Sequence, residues 1–596
     1  MRGGEAIAMF RMTELSNPTG RLILALEGSV GADALPEITR QIKNGKQSRR
    51  QVALDLGEVT LLDRAAVRFF AGQLKRGVEL MNCPVYIKHW ISREASHVLG
   101  GVHNSLLMAL AGLALLSNAC MIGPKYQRPT AVAPAAYKEP PPAGWKEAQP
   151  NDGAIRGKWW EIYNEPQLNA LEQQVSITNQ NVLAAEAKFR QAKAAVRVAR
   201  AGLFPTVTTT PSVAVSQSPA NFTNTGQVSA TARVRELYAL PFNFTYQADV
   251  WGNVRRSIAA NSATAQASAA DLENARLLYQ SELANDYFEL RGLDGEAQLL
   301  DATVKSYDEF LTLTKNRYAS GVASMGDVAQ AETQLETTRA QLIDLGVQRA
   351  QFEHAIAILA GQPPTAVSIS LGPIKGPPPP VPIGVPSALL ERRPDIASFE
   401  RQVAAANEQI GIAQVAFYPS LTLSAVGGFE SSKFANWFSW PSRFWSVGPQ
   451  LAQTLFEGGR RRALVDEAKA AYDVTVANYR QTVLTAFQQV EDNLVALRIL
   501  EEEAGVQDRA VKAAEESLTI STNQYRGGVV SYLQVITSQA IALQDERTAV
   551  GILTRRMSAS VLLIQALGGG WDAPQLPTTN DILPPGKKKA SAGHSD

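Results

Sequence analysis

The chain has 596 residues, 45% hydrophobic and 19% charged, with a formal net charge of +1. So even a balance offers no basis for a nucleic-acid partner, which would need clustered Lys and Arg. Two cysteines, Cys83 and Cys120, cannot make a disulfide framework. The five histidines show no HExxH or other ligand spacing, so neither catalysis nor a metal or cofactor is expected.

Residues 12–92 read as a compact α/β unit. An apolar strand RLILALEG (Arg21–Gly28) is followed by a helix near Ala34–Lys43 and a strand QVALDLGEVTLLD (Gln51–Asp63). A second helix over Arg64–Met81 and a strand CPVYIKHW (Cys83–Trp90) complete it. The stretch VALDLGEVTLLDRAAVRFFAGQL (Val52–Leu74) resembles a STAS domain, the fold of anti-sigma-factor antagonists, and the unit is taken as residues 1–100. In that family a phosphorylatable serine often follows the aspartate that matches Asp63. Here Arg64 and Ala65 stand in its place, so the resemblance does not extend to a phosphoswitch.

Residues 101–119 look like a signal peptide. The apolar run Leu106–Leu116 is about half the roughly 20 residues that a spanning helix needs, and is the size of a signal h-region. It leads through SNAC to Cys120, whose thiol is the candidate lipid attachment site. Ser117 departs from the lipoprotein pattern, which prefers Leu there, and basic residues are sparse upstream. The competing reading is a buried helix that ends at a reduced core cysteine. An export signal so far from the N-terminus means either a fusion or a start placed too early. The expected mature product begins at Cys120 and continues as a proline-rich extended segment, 120–160. Intact mass of the membrane-extracted protein tests this: a lipidated species that retains residues 1–100 would overturn the early-start reading.

The rest is an internal repeat. ARAGLFPTVTTTPSVAVS returns as AQVAFYPSLTLSAVGG, and NRYASGVASMGDVAQAETQL returns as NQYRGGVVSYLQVITSQAIAL. The offset falls from 214 residues at Pro205/Pro419 to 206 at Gly252/Gly458, which places a longer loop, about Gln217–Glu236, in the first copy. The copies are 161–371 and 387–570, joined by a proline-rich linker, 372–386, and followed by a tail, 571–596, whose basic end is expected to be disordered.

Two windows of more than 120 residues, Phe242–Gln362 and Gln450–Ala573, contain no proline and are rich in helix formers. They predict long helices at Asn253–Tyr318 and Arg460–Tyr525, each about 100 Å at 1.5 Å per residue. Shorter helices are expected at Gln167–Ala201, Met325–Leu359, Ser387–Val415 and Tyr532–Leu567. Helices alone would also suit a coiled-coil spacer. The strands discriminate: Phe242, Phe244, Tyr246, Ala248 and Val250 alternate with Asn243, Thr245, Gln247 and Asp249, and the second copy repeats the period. A soluble sandwich alternates in the same way. Against it, FANWFSWPSRFW (Phe434–Trp445) gathers six aromatics at a hairpin end, the place of a membrane-interface girdle. Four strands per chain cannot close a membrane barrel, so copies must pool them.

CMIGPKYQRP, WWEIYNEPQLNAL, ARAGLFP, RRPDI, AFYPSLTLS and LFEGGR, in that order, resemble the TolC-like outer membrane efflux proteins over about Cys120–Gly570. The resemblance is to the lipoprotein outer membrane factors of resistance-nodulation-division pumps. It implies a mainly α homotrimer whose α-helical barrel continues into a 12-stranded transmembrane β-barrel. The implied partners are outer membrane lipids, a periplasmic adaptor and an inner-membrane resistance-nodulation-division transporter, and the implied function is passive conduction. A type I protein secretion duct and a non-pore periplasmic coiled-coil scaffold are the alternatives.

The helix tips carry the candidate site. YASGVASMGD and YRGGVVSYLQ each end a helix at a glycine and restart it at a serine, with capping boxes expected for Ser324/Asp327 and Ser531/Gln534. In the family, acidic residues of the second tip form a constricting ring, linked by tyrosine and arginine to the first. Here the ring positions hold Gln534 and Thr537 and the link position Val530; Asp327 matches the first-tip acid, and Arg526 is the candidate partner. Adaptor contact is expected at Tyr318, Gly321, Val322, Tyr525, Gly528 and Val529.

Overall fold

The computed structural model describes residues 10–16, 21–48, 51–91, 121–131, 133–140, 142, 157–218, 233–383, 386 and 389–582. The signal-like segment, Cys120 and the basic end of the tail lie outside these residues. The chain divides into two compact units, Met1–Ala119 and Cys120–Asp596.

The first unit is a four-stranded sheet in the order β1 (Arg11–Ser16), β2 (Leu22–Val30), β3 (Val52–Leu62), β4 (Glu79–Met81). β1 pairs antiparallel to β2, and the other pairs are parallel. Two helices, α1 (Leu35–Gln47) and α2 (Arg64–Lys75), connect the parallel strands. Asp63 begins α2: one carboxylate oxygen accepts from Ala66 N at 2.7 Å and the other from Ala32 N at 2.8 Å. The sequence reading departs from the structure at two places here. The second helix stops at Lys75, and Gly77, with φ 79°, turns the chain into β4. Residues 85–91, expected as a strand, form helix α3. Ile87 and Ile91, one helical turn apart, are buried while Val85, Tyr86 and Trp90 are exposed, a helical period where a strand would alternate.

In the second unit the repeat governs the architecture. α4 (Pro166–Thr178) and α5 (Gln180–Ala201) precede strands β5 (Thr206–Thr209), β6 (Ser212–Ser218) and β7 (Arg233–Ala248). The 67-residue α6 (Asn253–Ala319) and the returning α7 (Met325–Leu359) follow. The second copy runs α8 (Leu389–Arg392), α9 (Pro394–Val415), β8 (Ser420–Ser431), β9 (Arg443–Ala452), the 67-residue α10 (Arg460–Arg526) and α11 (Tyr532–Ala566). α6 packs on α5, α7, α9 and α11, and α10 on α9 and α11.

The expected helix Gln167–Ala201 is two helices, broken at buried Asn179. Its Oδ1 accepts from Asn181 N and Val182 N and so caps α5, while its Nδ2 donates to Leu359 O at 2.8 Å, at the end of α7. The expected Ser387–Val415 helix is broken at the matching place, where Pro394 starts α9 and Arg393 donates to Ala566 O at the end of α11. In each copy the broken helix thus satisfies carbonyls that the last turn of its neighbour leaves open.

Charged networks fasten the irregular segments. Arg291 and Asp294 are buried and paired at 3.2 Å; Asp294 also accepts from Arg349 at 2.7 Å and from Gly372 N at 3.0 Å. Arg349 donates to Ile369 O at 2.7 Å. These contacts pin the start of the proline-rich linker to α6 and α7. The segment 121–140 straps across the second copy. Arg128 donates to Leu390 O at 3.1 Å and Arg480 to Thr130 O at 3.3 Å, while Glu491 accepts from Lys138 N at 2.7 Å and from Glu139 N at 3.0 Å.

Among the described residues one buried charge-bearing group is left without a partner. Glu172 on α4 has no exposed surface, and neither carboxylate oxygen is hydrogen-bonded. Burial raises its proton affinity well above the usual carboxylate range, so the folded state holds it neutral. The folded protein therefore binds a proton that the unfolded chain releases. The stability tied to that proton is complete below the ordinary carboxyl pKa and is lost as pH rises through the raised folded value. Glu172→Leu should stabilise the detergent-solubilised protein at neutral pH by about 1–3 kcal/mol and flatten the loss of stability with rising pH, both read from thermal melts across pH.

Candidate functional site

β5 and β6 both pair with β7, one after the other along its length, and β7, β8 and β9 continue the sheet, so each chain offers four ribbons. The register sets the two faces. Phe242 stands opposite Gly427 and that residue opposite Trp445; Phe244, Ala425 and Val447 form the next row, then Tyr246, Leu423 and Pro449. The other face carries Thr245, Ser424 and Gly448, then Gln247, Thr422 and Gln450. Opposed residues of an antiparallel sheet point the same way, so one face is apolar and the other polar. The apolar face is uncovered within the chain, with Trp445 80% and Val447 71% exposed. Among the described residues, β9 and the β5/β6 ribbon are unpaired on their outer sides. At the β8–β9 turn the aromatics pack together: Trp437 stacks on Phe438 with centroids 4.9 Å apart, and Tyr238 lies 5.6 Å from Phe434.

Roughly 100 Å along α6 and α10, the two helix tips share one core of Tyr307, Phe310, Leu335, Tyr525, Tyr532 and Val535 among others. Gly321 and Gly528 take φ of 73° and 75°, the left-handed turn that lets each helix end. Ser324 and Asp327 form the expected capping box, the Asp327 carboxylate accepting from Ser324 N at 2.9 Å. The second box does not form. Ser531 makes no side-chain cap, and Gln534 N donates to the Ser531 carbonyl instead. An amide at that position carries no charge to pull toward the helix N-terminus.

An arginine absent from the sequence expectations joins the tips. Arg317, near the end of α6, donates to Tyr525 O at 2.9 Å and to Arg526 O at 3.3 Å, and its guanidinium lies 4.6 Å from the centre of the Tyr525 ring. It therefore meets the negative end of the α10 dipole and adds a donor to the last-turn carbonyls, of which Tyr525 O also accepts from Gly528 N at 3.0 Å. Tyr525 packs on Tyr532 at 5.4 Å, and burial raises the Tyr532 hydroxyl well above its ordinary value.

A family model described as outer membrane efflux protein matches residues 171–362 and 385–569, more than half of the chain. The chain belongs to the outer membrane efflux protein family. The probable efflux pump outer membrane protein TtgC of Pseudomonas putida is 30% identical over 467 residues, 78% of this chain and 96% of that protein. The pyoverdine export outer membrane protein OpmQ of Pseudomonas aeruginosa is 28% identical over 471 residues, 78% of this chain and 98% of that one. Among solved structures the outer-membrane channel OprN superposes with a TM-score of 0.70 at 28% identity, covering 76% of this chain and all of that one. VceC of Vibrio cholerae gives 0.65 at 29% identity, covering 70% and 99%.

Against this efflux-protein frame the expected tip residues separate. Tyr318, Gly321, Val322, Gly528 and Val529 lie on the outer surface of the tips. Tyr525 does not: it is 3% exposed, covered by Arg317 and Tyr532, and belongs to the tip core. Arg526, Gln534 and Thr537 are exposed on the second tip. Among the described residues no ion pair joins Arg526 to Asp327; the cation that bridges the tips is Arg317, from the other copy of the repeat. Its sequence signal was available only as a basic residue in the last turn of a helix, which is common at helix ends. Arg317→Met should loosen the join by about 1–3 kcal/mol, the range for a lost charged hydrogen-bond donor. Hydrogen exchange at residues 525–532 should speed up while the sheet is unchanged; equal exchange in both proteins would refute the bridge.

Proposed function

We propose that this protein is the outer membrane duct of a tripartite efflux pump. The observation that carries the reading is the four-ribbon sheet with one apolar face, one polar face and two unpaired edges. In hydrocarbon an open edge costs several kcal/mol per unsatisfied backbone group, and a closed barrel is the solution. Three copies of a four-ribbon sheet give twelve strands, with the apolar face to lipid and the polar face lining a lumen. The long helices of three copies then continue that lumen as a periplasmic barrel.

The five exposed tip residues, Tyr318, Gly321, Val322, Gly528 and Val529, are the proposed contacts for a periplasmic adaptor, which connects the duct to an inner-membrane resistance-nodulation-division transporter. The transporter selects the cargo; the duct conducts it passively. At the second tip Arg526, Gln534 and Thr537 supply no carboxylate, so the closed state of this duct rests on the packed tip core and on Arg317, with Asp327 engaged as a helix cap. Cys120 is the proposed acylated residue. The reading is supported by the next residues: Ile122 N donates to Trp251 O at 3.3 Å, where β7 turns into α6 at the rim of the sheet. The N-terminal unit is read as a STAS-like fold on its mixed sheet and on the run Val52–Leu74, either fused to the duct or brought in by a start placed too early.

Purified full-length protein reconstituted in planar bilayers should conduct, and cysteines placed at Val322 or Val529 should crosslink to a co-expressed adaptor. A chain that stays monomeric in water without detergent and never conducts would refute the duct, while failure of every tip cysteine to crosslink would refute docking at the tips.

A further inference from the structure

Arg256 lies in the first turn of α6, just past the rim of the sheet, and is 2% exposed. A buried guanidinium is costly unless its donors are paired. Here the pairing is divided between helix α9 and the strap. Nη1 is 2.7 Å from the Glu408 carboxylate on α9, Nε donates to the carbonyl of Ile122, and Nη1 and Nη2 face the carbonyl of Pro124 at 3.4 Å. Asn407 adds a donor to the same Pro124 carbonyl at 3.3 Å. The space is made by glycine: a Cβ on Gly411 would stand 2.4 Å from Arg256 Nε, and one on Gly123 would stand 2.9 Å from Nη2.

The position gives this clamp a purpose. Ile122 is two residues from Cys120, and a chain reaches at most about 3.6 Å per residue, so the Cys120 Cα can lie no more than about 7 Å from the Ile122 Cα. Without the guanidinium, two longer single bonds remain on this stretch, from Ile122 N to Trp251 O and from Asn407 to Pro124 O, both at 3.3 Å, ahead of Tyr126, whose hydroxyl bonds the Glu400 side chain.

We propose that Arg256 is a registration residue: by gripping the backbone two to four residues after Cys120, it turns the acyl anchor from a loose tether into a fixed strut that sets the depth of the sheet rim in the membrane. This rests on the lipidation reading of Cys120. A bare tether would keep the protein at the membrane and leave the sheet to find its depth alone; a strut presents each copy's open edges to its sisters at one level. A looser tether spreads the copies' edges over a range of depths and lowers their effective concentration for one another, so weakening the grip should lower the yield of assembled trimer.

The test uses the full chain in cells, with Arg256→Met and, as a milder variant, Glu408→Gln. Gly411→Ala displaces the guanidinium without removing it. Three quantities are read: metabolic lipid label on Cys120, mobility of a spin label at position 121 in a Cys83→Ser background, and yield of heat-dissociable trimer. The expected result is unchanged lipid labelling, a more mobile label at 121 and a loss of trimer, with the loss abolished when Cys120→Ser removes the acyl group from wild type and variants alike. An immobile label in all three variants would overturn the clamp. The same trimer loss with and without acylation would overturn registration and leave Arg256 as an ordinary core residue. Absence of lipid on wild-type Cys120 would overturn the lipidation reading itself and the registration with it, and it is seen in the labelling alone, before any variant is compared.

Discussion

Backbone groups on the edge of a sheet need partners, and every other feature of the larger unit follows from that demand. The four ribbons pair among themselves but leave β9 and the β5/β6 ribbon open, and the rows led by Phe242, Phe244 and Tyr246 lay an apolar surface across the face between those edges. Water would tolerate the edges but not so large an uncovered apolar surface; lipid would tolerate the surface but not the edges. The proposed closed ring of copies in a membrane answers both, and that is the physical content of the duct reading. The helices inherit the consequence. Each long helix starts within a few residues of the sheet, at Asn253 and Arg460, so a ring of strands imposes a ring of helices below it.

Repetition supplies economy. Each copy contributes one unbroken helix and a partner built of two shorter ones, and the breaks at Asn179 and Arg393 fall where the neighbouring helix needs its last carbonyls satisfied. At Asn179 the break and the cap are one event, since its side chain caps α5 and seals the end of α7; in the second copy Arg393 seals α11 while Pro394 starts α9. The charged network of Arg291, Asp294 and Arg349 does the same for the linker, taking up backbone groups that a proline-rich segment cannot satisfy within itself.

Much of this was legible in the sequence because it depends on local signals. The absence of proline predicted the long helices to within a residue at Asn253, Arg460 and Met325, and alternation predicted the faces of β7. What depends on tertiary partners was not legible. Asn179 reads as a tolerable helix residue until Leu359 stands opposite it. Cys83–Trp90 has strand-forming side chains, yet the sheet position is taken by Glu79–Met81, and Ile87 and Ile91 find their core on one face of a helix. At the tips the glycine turns and the Ser324 cap were written locally, whereas the burial of Tyr525 and the reach of Arg317 across the repeat came only from packing.

The strap over the second copy is gripped largely by its main chain. Glu491 takes two successive amide hydrogens, while Arg128, Arg256 and Arg480 act on or through backbone carbonyls. Apart from Gly123, Tyr126 and Arg128, whose own side-chain sites matter, such a grip depends little on which side chains the gripped residues carry but is intolerant of a change in their spacing. Evolution is therefore free to rewrite much of the lettering of this ribbon yet bound to conserve its length, so that relatives should differ here by substitution far more readily than by insertion.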